Sequence, residues 1–393
     1  MYRVAVIGLR GIPDVMGGIE THCSQLLPRL LSQVPTGELE ITVLARKGYV
    51  AERATFDGVS QIPLWAPRRA ALETIVHTFI ALFYARFVLH ASIVHLHAIG
   101  PGLLAPLARL LRFRLLFTHH GEDYRRQKWG RGSRLALQLG EVLAMRFAHQ
   151  VITVSKASET RLRRRFADRA QRIVHIPNGL TRTSANPASD RLLRRFTLVR
   201  GCYVVSVGRL VPEKAQDLLI AAFRQAGLGR ARPACKLLII GASDHDSAYA
   251  RRIEAEAATD ETIILTGRQP RDVILSLNHA AGLFVLPSTH EGLSIAALEA
   301  ISVGAPVLFS DIEENRFLGL PERNYFPTGS VDGLSRKLGQ DFRTFAVPGD
   351  FDLDVYDWNR IARLTLERLD RVVVGKSLVR PGHEPAGATD RDT

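Results

Sequence analysis

The sequence predicts an α/β protein made of two Rossmann-like, doubly wound domains. Short apolar runs alternate along the chain with segments of helical period, the pattern of parallel strands joined by crossover helices. A polar interval from Thr181 to Asp190, containing Asn186-Pro187, interrupts that alternation near the middle. A chain of 393 residues, 46% of them hydrophobic, is long enough for two cores of ordinary size.

Met1 to Ile7 runs straight into a first strand, with no charged leader, apolar h-region or cleavage site, and implies a cytoplasmic protein. Gly17-Gly18 opens a helix through Ile19 to about Leu31, and glycines there let backbone N–H groups approach a phosphate or sugar. Gly8-x-x-Gly11 is not the dinucleotide spacing, and no acidic residue is placed for a ribose, so NAD binding is not expected. The apolar run Ala70 to Leu89 has the length of a membrane span, but Glu73, His77 and Arg86 argue against one. A buried or interfacial helix fits it better, its aromatic side packed on the sheet or, second in order, dipping into headgroups. Ile93–His97, Leu115–Thr118 and Val151–Val154 supply further strands. The second half offers five: Tyr203–Val207, Lys236–Ile240, Thr262–Leu265, Leu283–Leu286 and Pro306–Phe309. These elements divide the chain into a domain at 1–180, a linker at 181–200, a domain at 201–354, a final amphipathic helix at 355–374 and a disordered tail at 375–393.

Three cysteines without a CxxC pair suggest neither a disulfide framework nor a zinc site. The net charge of +13 is uneven: residues 1 to 200 hold 30 Lys and Arg against 13 Asp and Glu. That half either faces something anionic, a membrane surface or a lipid-linked phosphate, or carries a solvated Arg-rich surface. Nucleic acid is not expected, since no recognition signature is present.

The segment His290-Glu291-Gly292-Leu293-Ser294 to Glu299 places two carboxylates eight residues apart where a buried strand becomes a helix. Treated as helix throughout, that spacing covers about 12 Å, so Glu291 and Glu299 would hold two ends of one ligand, with the N–H groups of the helix start between them for a phosphate. A glycosidase pair stands closer, at roughly 5 to 9.5 Å. Gly208-Arg209 ends a strand and Lys214 follows one and a half turns later, so both cations reach the carboxyl edge of the sheet and suit a diphosphate. The bland alternative is a surface Arg209 and a Lys214 paired with Glu213. His120, ahead of Gly121, sits on a loop facing the cleft, with His119 its rival. His95 and His97 alternate on a strand as structural histidines, and a metal cluster with His119 and His120 is not supported by ligand spacing. Asp244-x-Asp246 and Asp350-x-Asp352-x-Asp354 are explained by capping and solvation rather than metal binding.

Together with Gly8 to Pro13, Gly17 to Thr21, Thr118 to Asp123, Val154-Ser155-Lys156, Ile176 to Gly179 and Gly208 to Lys214, the Glu-x7-Glu segment resembles glycosyltransferase family 4, the retaining GT-B glycosyltransferases. The opening segment and the run from His120 to Trp129 resemble a bacterial branch that builds cell-surface polysaccharides. The resemblance implies two domains facing across a cleft, the first binding acceptor and the second nucleotide sugar, with the final helix packed back on the first. It implies transfer of a hexosyl-type sugar from a nucleoside-diphosphate sugar to a glycan or polyprenyl-linked acceptor. His120 and Glu291 would be catalytic, Glu291 holding sugar hydroxyls and Glu299 the ribose. Arg209, Lys214, Gly292, Leu293, Ser294, Gly17 and Gly18 would complete the donor site. No cofactor or metal is expected. The rivals are a GT-B sugar-nucleotide epimerase and a non-catalytic nucleotide- or glycan-binding partner. The expected place is the cytoplasm, either free or in peripheral contact with an anionic membrane through the basic first domain.

Overall fold

The structure, a computed structural model, describes residues 1–13, 15, 17–67, 70–125, 129–181, 190–230, 234–243 and 247–373. Asp244, Asp246, the tail and residues 182–189 of the expected linker lie outside the described residues.

The first sheet contains β1 (Tyr2–Ile7), β2 (Leu39–Arg46), β3 (Ala54–Phe56), β4 (Val59–Leu64), β5 (Ile93–His97), β6 (Arg114–His119), β7 (Gln150–Thr153) and β8 (Ile173–His175). Their order is β3-β4-β2-β1-β5-β6-β7-β8, all parallel except the β3–β4 hairpin. The second sheet contains β9 (Tyr203–Val207), β10 (Lys236–Ile240), β11 (Ile263–Leu265), β12 (Leu283–Leu286), β13 (Val307–Ser310) and β14 (Tyr325–Phe326), all parallel, in the order β11-β10-β9-β12-β13-β14. Central strands such as β12, Leu-Phe-Val-Leu, are buried on both faces, which is why they read as unbroken apolar runs. In each sheet the order reverses beside the first strand, between β1 and β5 and between β9 and β12. A crevice opens beyond the carboxyl ends of the strands at such a point, and ligands of open α/β sheets bind there.

The final helix, Trp358–Val372, lies on the first domain although the second domain precedes it in sequence. Trp358, Ile361, Ala362, Leu366, Leu369 and Val372 share one core with Leu26, Leu30, Val43 and Leu116. Asp357 caps it by accepting from the N–H groups of Asn359 and Arg360 at 2.9 and 3.1 Å. Nearby, Asp352 accepts from the Asp354 N–H at 2.9 Å, a turn contact that accounts for part of that acidic run.

Helix α1 spans Gly18–Ser32 and α2 spans Ala70–Phe87. The apolar side of α2 that packs inward is carried by Ala81, Leu82 and Ala85, with His77 fully buried and its Nε2 donating to the Ala45 carbonyl at 3.0 Å. The aromatic side does not pack on the sheet as expected. Phe79, Phe83 and Phe87 are exposed and form a continuous ridge, with ring centroids 4.9 and 6.0 Å apart. Small residues fill the inner face closely, so the bulky rings at spacing four take the outer one. Among the described residues no helix is long and apolar enough to cross a membrane.

Candidate active site

The second sheet's reversal point gathers the cations and carboxylates singled out in the sequence. Strand β9 ends at Val207, and the chain turns through Gly208-Arg209 into the 3-10 turn Pro212–Lys214. Strand β12 ends at Leu286 and leads to Glu291. The Thr289 N–H donates to the Glu213 carbonyl at 2.9 Å and ties the two loops together. The Lys214 ammonium pairs with Glu291 Oε1, not with Glu213, and both side chains are largely enclosed, at 18% and 10% exposure. Burial pushes the Glu291 carboxyl up, but the Lys214 charge and hydrogen bond outweigh it and hold the group below the ordinary carboxylate range. Arg209 is half-buried just beyond the end of β9, its carbonyl held by Gln216 Nε2 at 2.8 Å.

Glu291 lies ahead of the helix, whose start falls between the two carboxylates as the sequence implied. Residues 291–294 form an irregular turn, and the helix is Ile295–Ser302, with the Ser294 hydroxyl accepting from the Ala297 N–H at 3.3 Å. The 12 Å estimate, which took all eight steps as helical, therefore does not apply. What separates the carboxylates is their partners. Glu299 lies inside the helix, 8% exposed, and accepts from Arg271 Nε at 2.6 Å. Burial raises its carboxyl above the usual value, against the pull of Arg271. Arg271 Nη1 also donates to Thr181 at 3.2 Å, joining this end of the site to the chain that links the domains. Sequence reasoning missed Arg271. A signal existed: a cation at the first position of the helix Arg271–Ala280 opposes the helix dipole and calls for a nearby anion.

The facing wall comes from the first domain. His119 is fully buried and turned away from the cleft, its Nε2 bonded to Glu141 at 3.1 Å, while Arg165 bonds the other Glu141 oxygen at 2.8 Å. His120 is half-buried, and its carbonyl lies so close to Gly292 that a Cβ there would stand 2.2 Å from it. Gly292 is thus the point where the edges of the two domains touch. Asn178 spans the same gap: its Nδ2 donates to the Leu293 carbonyl at 2.7 Å and its Oδ1 accepts from His22 Nδ1 at 2.9 Å.

Behind His120, His97 Nδ1 bonds His120 Nε2 at 2.9 Å, and the His22 ring stands edge-on to His120 with centroids 4.9 Å apart. Burial lowers the His22 pKa to about 4, and burial together with the neighbouring rings holds His97 and His120 well below the ordinary value, so all three are neutral imidazoles at pH 7. One nitrogen of each of these rings lies within 4.8 Å of the others, a convergence the linear spacing did not reveal because His22 arrives on α1. Gly17 precedes α1 with φ 154°, and a Cβ there would clash with Glu20 Oε2 at 1.9 Å. Glu20 is held by the Arg10 N–H at 3.1 Å and Nε at 3.0 Å, while a Cβ on Gly18 would meet nothing within 4 Å, leaving the helix start open.

Residues 199–318 match the family described as Glycosyl transferases group 1, and residues 16–183 match Glycosyltransferase Family 4. One match falls in each domain, and together they contain Gly17, Gly18, His120, Arg209, Lys214, Glu291 and Glu299. The chain belongs to glycosyltransferase family 4. This family 4 protein is 31% identical over 229 residues to a 2-deoxystreptamine N-acetyl-D-glucosaminyltransferase of Streptomyces fradiae, covering 55% of the chain and 54% of that protein. It is 27% identical over 234 residues to an Escherichia coli UDP-Gal:α-D-GlcNAc-diphosphoundecaprenol α-1,3-galactosyltransferase, covering 58% and 59%. The chain thus spans little more than half the length of the curated relatives it matches. In fold it is similar to the sucrose-phosphate synthase of Thermosynechococcus elongatus, with TM-score 0.74, 21% identity and coverage of 94% and 98%. It is also similar to Anabaena HepE in complex with UDP-glucose, with TM-score 0.73, 17% identity and coverage of 94% and 99%. The fold of this family 4 protein is GT-B.

Proposed function

We propose that this protein transfers a hexosyl-type sugar, with retention, from a nucleoside-diphosphate sugar to a glycan or polyprenyl-linked acceptor in the synthesis of a bacterial cell-surface polysaccharide. The observation that carries the reading is the pair of buried, cation-held carboxylates, Glu291 with Lys214 and Glu299 with Arg271, at the reversal point of the second sheet. A carboxylate only accepts hydrogen bonds, so Glu291 can keep Lys214 on one oxygen while sugar hydroxyls donate to its remaining lone pairs. Glu299 offers the same capacity to the two hydroxyls of a ribose. Arg209, Lys214 and the N–H groups from Gly292 to Ser294 stabilise the charge that grows on the departing diphosphate, the task a divalent ion performs elsewhere, and the donor needs no metal. His120 lines the reacting sugar from the first domain. The acceptor oxygen bonds to the anomeric carbon on the face the diphosphate leaves, and the hydroxyl proton passes to a diphosphate oxygen. Contact of the His120 and Gly292 edges excludes water and limits hydrolysis of the donor.

The basic first half and the exposed ridge Phe79-Phe83-Phe87 support peripheral binding to an anionic membrane at its cytoplasmic face, where a polyprenyl-linked acceptor resides. The deciding experiment is a thermal-shift titration with UDP, GDP, dTDP and ADP, with and without magnesium, followed by product analysis with the preferred sugar nucleotide. One nucleotide should raise the melting temperature without magnesium. No response to any of the four would remove the donor site, a requirement for magnesium would remove the metal-free mechanism, and an epimerised donor formed without acceptor would make the protein an epimerase.

A further inference from the structure

We infer that His22, His97 and His120 form a binding site for one zinc-class divalent cation at the floor of the cleft. Three elements far apart in sequence deliver these rings: α1, the end of β5 and the loop after β6. The ring centroids are 4.9, 5.2 and 5.8 Å apart. Three imidazoles around a tetrahedral ion at Zn–N distances of about 2.0 to 2.1 Å have ring centres on the order of 5 Å apart and ligand nitrogens about 3.3 Å apart. The rings already stand at the first spacing. The nitrogens lie within 4.8 Å of one another, with one pair at 2.9 Å, so their separations need to change by no more than about 1.5 Å to reach the second.

The tautomers favour an ion over further hydrogen bonding. Asn178 Nδ2 donates to the Leu293 carbonyl, so Asn178 Oδ1 must accept, and His22 Nδ1 must carry the proton. The lone pair of His22 is therefore on Nε2, and that nitrogen is buried, in a residue only 2% exposed, with no hydrogen-bond partner. A buried acceptor without a donor is costly, and an ion satisfies it. The Asn178 carbonyl oxygen behind the His22 N–H is the outer contact that metal-bound histidines use to fix ring orientation. His97 and His120 share one proton between Nδ1 and Nε2. On ion binding the donor of that pair carries its proton on its other nitrogen instead, so both lone pairs face the ion and no net proton is lost. Half-buried His120 leaves a fourth position open toward the cleft, as in a three-histidine site that keeps one exchangeable ligand.

All-imidazole ligation selects zinc, copper or nickel over magnesium, so this site is separate from any ion on a donor diphosphate. Where His120 serves the reacting sugar, as proposed above, an ion bound there competes with the substrate and zinc becomes a reversible inhibitor. The binding test does not depend on that reading.

Chelator-treated full-length protein is titrated with Zn2+ by calorimetry and with Co2+ by visible absorption. One equivalent should bind per chain, magnesium should not compete, and Co2+ should give the intense absorption of a tetrahedral centre. His22→Gln and His97→Gln should each weaken zinc binding at least about tenfold, while His149→Gln, at the opposite end of β6 where its ring accepts from the Leu115 N–H, leaves it unchanged. A weak octahedral Co2+ spectrum, or zinc affinity unaltered in folded His22→Gln and His97→Gln, overturns the inference. The Co2+ spectrum of the unaltered protein decides the matter even where a variant fails to fold.

Discussion

At the level of single residues, Glu299 and Glu291 show how one fold gives two carboxylates opposite behaviour. Both are buried, yet Lys214 holds Glu291 ionised below the ordinary range while Glu299, tied to the more exposed Arg271, is raised. Glu299→Ala removes a charge-assisted acceptor from the place assigned to the ribose. Such bonds contribute about 1.5 to 3 kcal/mol, so nucleotide-sugar affinity should fall about ten- to hundredfold in calorimetry while the melting temperature without ligand changes little. Unaltered affinity would remove Glu299 from the donor site. The placement of Arg209, Lys214 and Glu291 beyond strand ends, and of Glu299 on the following helix, was legible in the sequence because the carboxyl ends of strands and the starts of helices announce themselves locally. Asn178 stood within a recognisable motif, but its bonds to His22 and Leu293 lie 156 and 115 residues away. No local pattern encodes a contact of that range.

At the level of elements, α2 is the informative case. Its composition predicted burial, and one face of it is buried; which face looks outward follows from packing of Ala81, Leu82 and Ala85, a tertiary fact that a run of apolar letters does not contain. If the ridge binds lipid, Phe79→Gln, Phe83→Gln and Phe87→Gln combined should reduce co-sedimentation with vesicles containing anionic lipid by at least about tenfold, with the far-ultraviolet circular dichroism unchanged. Equal binding of the variant would place membrane contact elsewhere. His77 tests the inner face of the same helix. Burial lowers its pKa to about 4, against the favourable bond to Ala45 and with a smaller push from Arg46. A folded-state value below the unfolded one means the native state binds fewer protons, so His77 contributes fully above about pH 6.5, and that contribution of up to about 3 kcal/mol is lost as pH falls toward 4. His77→Gln should flatten the decline in urea stability over that window; an equally steep decline would show that other groups cause it. The strands β2, β4 and β14 joined sheets whose class was already apparent without them, because alternation of strand and helix fixes the class before every strand is counted.

At the level of the whole molecule, the site is split between domains whose edges meet at Gly292. Gly292→Ala inserts a methyl group 2.2 Å from the His120 carbonyl, a distance no contact tolerates, so the edges must part. The second domain's cations and carboxylates are untouched. The variant should keep its melting response to the preferred nucleoside diphosphate and lose at least about tenfold in kcat, since closure and not donor binding is impaired. Loss of both together would mean that the turn at 291–294 collapses instead.

The return of the last helix to the first domain has a consequence for synthesis on the ribosome. Residues 1–180 emerge with the groove for Trp358, Ile361, Leu366 and Leu369 uncovered, and it stays so until the end of that helix is made, nearly two hundred residues later. At roughly 5 to 20 residues per second this is an interval on the order of 10 to 40 seconds, in which a nascent domain carries exposed apolar surface while the other is still being translated. The two halves are thus obliged to mature together, and premature termination anywhere in the second leaves the first without its lid and open to chaperone capture or aggregation.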